Sequence, residues 1–283
     1  MNPIRLGTHA ANTWCPGCGN FAILNGIKAV LNEWMEAAGS LEKVVVVSGI
    51  GCHGKIADYL NVNSFYSIHG RTVPVAEGIK IARPELKVIC FAGDGDAYGE
   101  GLEHLVFAAK RNIDITVIVH NNRSYSLTAF QYSPTSYLGF KGRSTPQGSI
   151  EAPLNPLELM MASRATFLAR GTSQKLSQLK SLFREAIIHK GFALVDVLQV
   201  CVTYNNLYEY YSKKVYDLQD HDTKDPLGAL KKIQEWDYNA DAQIALGVFY
   251  QREEVSFEEK LALSRGNVQD RDDRIKRFLT GSK

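Results

Sequence analysis

The chain has 283 residues, with 32 Lys plus Arg against 30 Asp plus Glu and a formal net charge of +2. So even a balance argues against a general nucleic-acid coat or a membrane-surface patch, and 45% apolar residues exclude wholesale disorder. The longest apolar run without a charge covers residues 44–52, far below the roughly 20 needed to span a bilayer. Residues 1–20 lack the basic-then-apolar layout of a signal peptide. The reading is a soluble, cytoplasmic protein that binds no nucleic acid and enters no membrane.

In chain order, a helix is predicted over residues 21–38, a strand over 44–50, a helix over 73–83 and a strand over 87–92. A helix over 101–111, a strand over 113–119, a short strand over 165–170, a helix over 174–190 and a strand over 192–198 complete the pattern. Gly39, Pro84 and Gly191 stand where three of the helices should stop. Alternating strands and helices, with strands almost continuously apolar, predict an α/β fold: a mostly parallel sheet with helices on both faces.

Two segments depart from the alternation. Residues 122–156 hold four prolines and three glycines without a periodic pattern, and so long a connection is read as an active-site or partner-contacting loop. From Cys201 the strand pattern is expected to stop. Residues 252–283 carry 8 basic and 7 acidic side chains, which suits a solvated helical arm or a subunit-docking element. The expected organisation is a principal domain over 1–200 and an extension over 201–283.

Gly93-Asp94-Gly95-Asp96 closes one predicted strand, and Asn121-Asn122 follows the next. In a parallel sheet both reach the carboxyl edge, where open α/β folds bind ligands. Glycines admit a diphosphate close to the backbone, while a carboxylate and an amide oxygen suit Mg²⁺, which shares its shell with phosphates. Gly-Asp-Gly alone is also an ordinary turn, and it is the following Asn pair that favours a Mg²⁺-diphosphate site. This arrangement resembles the diphosphate signature of thiamine-diphosphate enzymes. Carried over, Asp94 and Asn122 become Mg²⁺ ligands, with the Ser124 carbonyl a weaker candidate.

The five cysteines are too few and too scattered for the disulfide framework of a small secreted domain. Trp14-Cys15-Pro16-Gly17-Cys18-Gly19 is a CxxC, and Cys52 and Cys201 stand alone beside small or loop residues. Four thiolates close a tetrahedral metal site. Zinc sites are more often built from two local pairs, so one pair completed by two distant cysteines favours 4Fe-4S over zinc. Cys90, inside a predicted buried strand, is read as a core residue.

The order CPGCG, GIGC, HGR, GDGD, NN and a last Cys201 before Thr203-Tyr204-Asn205 resembles the β subunit of 2-oxoacid:ferredoxin oxidoreductases over about residues 10–230. That resemblance implies a 4Fe-4S cluster on Cys15, Cys18, Cys52 and Cys201, and thiamine diphosphate with Mg²⁺ at Asp94 and Asn122. Gly93 and Gly95 would lie close to the diphosphate, with Gly51, Cys52, His53, His69, Asp96 and Ser124 also facing the cofactor. It further implies an α subunit that supplies the activating Glu, since none here stands in a recognisable motif.

The activity implied is coenzyme A-dependent oxidative decarboxylation of pyruvate or 2-oxoglutarate, with electrons passing through one cluster to ferredoxin. His53, Lys55, His69 and Arg71 are candidates to face the cofactor or the substrate carboxylate, against plain roles as surface charge or loop hydrogen bonds. Lys55 and Leu127, placed three after Cys52 and five after Asn122, resemble substrate-bordering positions of the family. A non-redox decarboxylase or carboligase would have no use for the cysteines, and an electron-transfer or zinc scaffold none for GDG and NN.

Overall fold

A computed structural model describes residues 6–37, 39–265 and 269–281. Its strands are β1 (Val44–Ser48), β2 (Asn63–Tyr66), β3 (Lys87–Gly93), β4 (Ile115–Asn121), β5 (Phe167–Thr172), β6 (Ala193–Leu198), β7 (Val215–Asp217) and β8 (Ile244–Gln251). They form one sheet in the order β2-β1-β3-β4-β6-β5-β8-β7. Every pairing from β2 to β5 is parallel, β8 joins β5 antiparallel, and β7 runs parallel to β8.

The apolar runs build two cores because successive strand side chains point to opposite faces. Val46, Ile89, Phe91, Ile118 and Val195 face one layer, where α1 (Asn20–Glu36) packs beside the helix over Leu176–Ile188. Val47, Cys90, Val117 and Val119 face the other, covered in part by the helices Thr72–Ala82 and Leu102–Arg111. Fully burying each Val, Ile or Phe contributes about 1.5–3 kcal/mol. Cys90 is therefore a core residue, and burial pushes its thiol pKa up.

The helix Leu102–Arg111 stops at Asn112, which takes the left-handed conformation at φ 56°. The Asn112 side chain accepts from the N–H of Phe192 at 2.9 Å and donates to the Glu254 carbonyl at 3.1 Å. One amide thus ties the approach to β4, the start of β6 and the C-terminal segment together.

Two expectations need correction. The strand pattern does not stop at Cys201: β7 and β8 extend the sheet, and residues past 201 enter the same layer as β5. Gly247 interrupts the apolar run of β8, and the β5–β8 pairing shifts register between Leu168 and Ala169, so the local pattern is weak. Strand β2 was not anticipated because all four of its residues are exposed at the sheet edge, leaving no buried alternation to read. The segment from Phe257 is helical, over Phe257–Arg265 and Gln269–Thr280.

Candidate active site

Strand register brings the loops together. Ser48 pairs with Phe91, Gly93 with His120, and Asn121 with Leu198, so four parallel strands release the chain at one edge, as open α/β sheets do at ligand sites. The cleft there is lined by Gly51, Cys52, His53, His69, Gly93, Asp94, Gly95, Asp96, Asn122, Ser124 and Leu127, together with Asn20, His120 and Tyr125.

Asp94 is buried at the centre. Its Oδ2 accepts from the hydroxyls of Ser133 at 2.6 Å and Thr135 at 3.1 Å. Burial outweighs these donors and pushes the carboxyl up to about 6. Asp96 opens the π-helical turn Asp96–Glu100; its Oδ1 accepts from the Gly70 N–H at 2.5 Å, and its Oδ2 faces His53 Nε2 at 3.3 Å. Gly95 must be glycine here, because a Cβ would lie 2.1 Å from the Tyr125 ring. The Tyr125 hydroxyl donates to Glu100, which also approaches His69 Nδ1 at 3.2 Å.

Asn122 Oδ1 accepts from the Ser124 N–H and hydroxyl, both at 3.1 Å, and from the Ser126 hydroxyl at 3.2 Å. His120 Nδ1 meets Asn20 Oδ1 at 2.8 Å, while its Nε2 has no hydrogen-bond partner among the described residues. Burial holds the His120 imidazole well below its ordinary pKa, hence neutral at pH 7.

A second cavity adjoins the first and is lined by Cys15, Cys18, Cys52 and Cys201 with Lys55, Gln199 and Leu127. The CxxC loop reaches it by close backbone contact. The Gly19 N–H donates to the Val200 carbonyl at 3.0 Å, and a Cβ on Gly19 would lie 2.6 Å from Ser173 Oγ. Trp14 donates its indole N–H to the Cys52 carbonyl at 2.6 Å, tying the CxxC loop to the loop after β1. Burial raises the Cys18 thiol to about 11 and also pushes Cys52 up; a bound metal would reverse that preference by stabilising the thiolate. Among the described residues, no three His, Cys, Asp or Glu side chains form a group that could hold a metal ion.

The geometry thus gathers the expected diphosphate residues in one cleft and the four expected thiols in its neighbour. Arg71 lines neither cavity, since its guanidinium donates to the carbonyls of Gly70 and Glu100. Lys55 lines the cysteine cavity rather than the diphosphate cleft and donates to Thr13 Oγ1 at 2.5 Å. Sequence reasoning missed Asn20, His120, Ser133 and Thr135. Asn20 follows the CxxC-Gly and His120 precedes the Asn pair, so adjacency to a motif was the available signal. The two hydroxyls had none.

Residues 49–197 match the family described as thiamine pyrophosphate enzyme, C-terminal TPP binding domain, and residues 201–265 match the C-terminal family of the pyruvate ferredoxin oxidoreductase beta subunit. The 2-oxoacid:ferredoxin oxidoreductase subunit beta of Saccharolobus solfataricus is 44% identical over 89% of this chain and 86% of its own. The chain belongs to the 2-oxoacid:ferredoxin oxidoreductase β-subunit family. Within it, the 2-oxoglutarate oxidoreductase subunit KorB of Mycobacterium tuberculosis is 44% identical over 68% of this chain and 51% of its own. A solved structure described as 2-oxoglutarate:ferredoxin oxidoreductase from Magnetococcus marinus with 2-oxoglutarate, coenzyme A and succinyl-CoA bound superposes with a TM-score of 0.88. It is 32% identical and covers 98% of this chain and 95% of that one. The chain is accordingly a subunit of an oxidoreductase with a thiamine-diphosphate-binding fold.

The raised Asp94 pKa makes a stability prediction. With a folded value of about 6 against an ordinary 3.8, folding favours the neutral acid. Its stabilisation is complete below about pH 4 and is lost as pH rises through 6. The difference corresponds to about 3 kcal/mol. In urea unfolding of metal-free, cofactor-free protein, wild type should lose about that much relative to Asp94→Asn between about pH 4 and pH 7. Parallel pH profiles for the two proteins would contradict the assignment.

Proposed function

We propose that this chain carries thiamine diphosphate, Mg²⁺ and one 4Fe-4S cluster in a heteromeric enzyme with an α subunit. The complex oxidatively decarboxylates a 2-oxoacid, transfers the acyl group to coenzyme A and passes electrons to ferredoxin. One observation carries the reading: Asn20, Cys52, Asn122, Ser126 and Leu127 line both cavities. Cys52 belongs to the cofactor cleft and to the thiol set at once, so a cluster held by these thiols would have one of its ligands on the wall of the cofactor cleft.

The donor types, rather than a preformed metal group, support the groups assigned to these residues. Gly93 and Gly95 let His53 and Tyr125 close against the backbone of the cleft, and Asp94, Asn122 Oδ1 and the Ser124 carbonyl would be hard oxygen ligands for Mg²⁺. Four thiols on one cavity suit a cubane, with Gln199 donating to Cys18 Sγ at 3.4 Å and so favouring the thiolate. The cluster reading rests on that donor set and shared cavity. When bound, thiamine diphosphate supplies the nucleophilic carbon and electron sink for decarboxylation, and the cluster takes up electrons singly. This chain's part is to orient the diphosphate, hold neutral His120 and Asp96-paired His53 beside it, and keep Cys52 at its edge. Among the described residues no Glu lines either cavity, which supports a carboxylate contributed by the α subunit.

Anaerobic analysis of the purified complex should find iron and sulfide at about four each per β chain, as one cubane requires. Stoichiometric zinc without iron would turn the reading into a zinc scaffold. Absence of both would favour a non-redox thiamine enzyme.

For substrate choice, we assign 2-oxoglutarate over pyruvate, supported by the relatives named for it and by Lys55 and Leu127 both lining the cysteine cavity. An ammonium facing a distal carboxylate contributes about 1–3 kcal/mol, roughly 5- to 150-fold in kcat/KM. Lys55→Ala in the assembled complex should erase that preference. An unchanged ratio of the two substrates would assign Lys55 to the solvated surface and selectivity to the partner.

A further inference from the structure

The connection from β4 to the helix Pro156–Ala162 has no strand or helix of its own, yet Ser133, Thr135 and Ser136 within it are fully buried. Burying a hydroxyl is costly unless it is hydrogen-bonded. Here two of the three reach back to Asp94, 39 and 41 residues earlier in the chain.

We propose that Ser133 and Thr135 are positioning residues that fix the Asp94 carboxylate, so that this loop sets the affinity for Mg²⁺ and thiamine diphosphate. The inference rests on Asp94 being a metal ligand, as the proposed function has it. Both side-chain hydrogen bonds fall on Oδ2, which restrains the carboxylate and leaves Oδ1 without a side-chain donor among the described residues. Outer groups of this kind orient a ligating carboxylate, and removing one typically costs about 10- to 100-fold in metal affinity.

Proton counting separates the two hydroxyls. Ser136 donates its proton to the Arg123 carbonyl at 2.8 Å and accepts from the Ser133 N–H at 2.9 Å. Ser133 Oγ also lies 3.3 Å from Ser136 Oγ, but Asp94 Oδ2 at 2.6 Å is much the nearer acceptor and takes the Ser133 proton. Thr135 Oγ1 has two acceptors, Asp94 Oδ2 at 3.1 Å and Asn121 Oδ1 at 2.8 Å. Asn121 presents oxygen to Thr135 because its amide nitrogen donates to Asp196 Oδ1 at 3.0 Å. Asp196 is itself held by the hydroxyls of Tyr98 and Tyr238, with Arg170 Nε 3.8 Å from it. A hydroxyl carries one proton, so Ser133 is the committed donor and Thr135 a shared one.

The test is the dissociation constant of thiamine diphosphate at fixed Mg²⁺, measured by calorimetry on the anaerobic complex, alongside kcat and the cofactor KM. Ser133→Ala should weaken binding about 10- to 100-fold, with the loss appearing in KM far more than in kcat and with the visible cluster spectrum unchanged. Thr135→Val should weaken it less, and Thr135→Ser should restore wild-type affinity. Asp94→Asn is the control for the underlying assignment: wild-type affinity in that variant would overturn the metal-ligand reading itself. Loss in Asp94→Asn with wild-type affinity in Ser133→Ala would overturn the positioning role alone. Should Ser133→Ala fail to assemble, the Thr135 pair decides, equal affinities for Val and Ser refuting the proposal.

Discussion

Close parallel register among β1, β3, β4 and β6 is the constraint on which the rest depends. Side chains alternate with a period of two, so a one-residue slip in any of these strands would turn its apolar set from one core to the other. The strands are buried on both faces, and a slip would therefore be penalised on both. With the register fixed, the loops leaving the four strands converge, and residues as distant as Cys52, Asp94, Asn122 and Cys201 reach neighbouring walls.

The same edge concentrates buried acid. Asp94, Asp96 and Asp196 are almost fully enclosed, and each is managed differently. Asp96 faces a backbone N–H and His53; Asp196 lies near Arg170, whose guanidinium is stacked among Trp236, Tyr238 and Phe249 and has no hydrogen-bond partner among the described residues. A buried pair of that kind adds little net stability, but it fixes Asn121 and so the loop beyond. Among the described residues, the side chains that donate to Asp94 are hydroxyls alone, and burial raises its pKa in spite of them. In the proposed function, a divalent ion bound there would recover the stability given up at neutral pH.

How much was legible follows from where each signal lies. GDGD, the Asn pair and the CxxC are local sequences at strand ends or loops, so the motif and the predicted element together located them. Asn20 with His120, and Ser133 with Asp94, are pairings across 100 and 39 residues, which no local pattern records. Strand β8 was hidden by Gly247 and by its place after an irregular stretch; β2 was hidden because an exposed edge strand has no hydrophobic alternation. Arg71 sat beside the right motif, but its guanidinium is used to bridge the carbonyls of Gly70 and Glu100.

Joining the two cavities at Cys52 makes a claim about electrons rather than about binding. Its most direct test is to mix the anaerobic complex, loaded with thiamine diphosphate and Mg²⁺ but without ferredoxin, with 2-oxoglutarate and coenzyme A. Visible absorbance and electron paramagnetic resonance then follow the cluster. The account predicts bleaching and a reduced-cluster signal in wild type, both lost in Asp94→Asn although its cluster remains intact. An unreduced cluster in wild type, with thiamine diphosphate bound and substrate present, would contradict it.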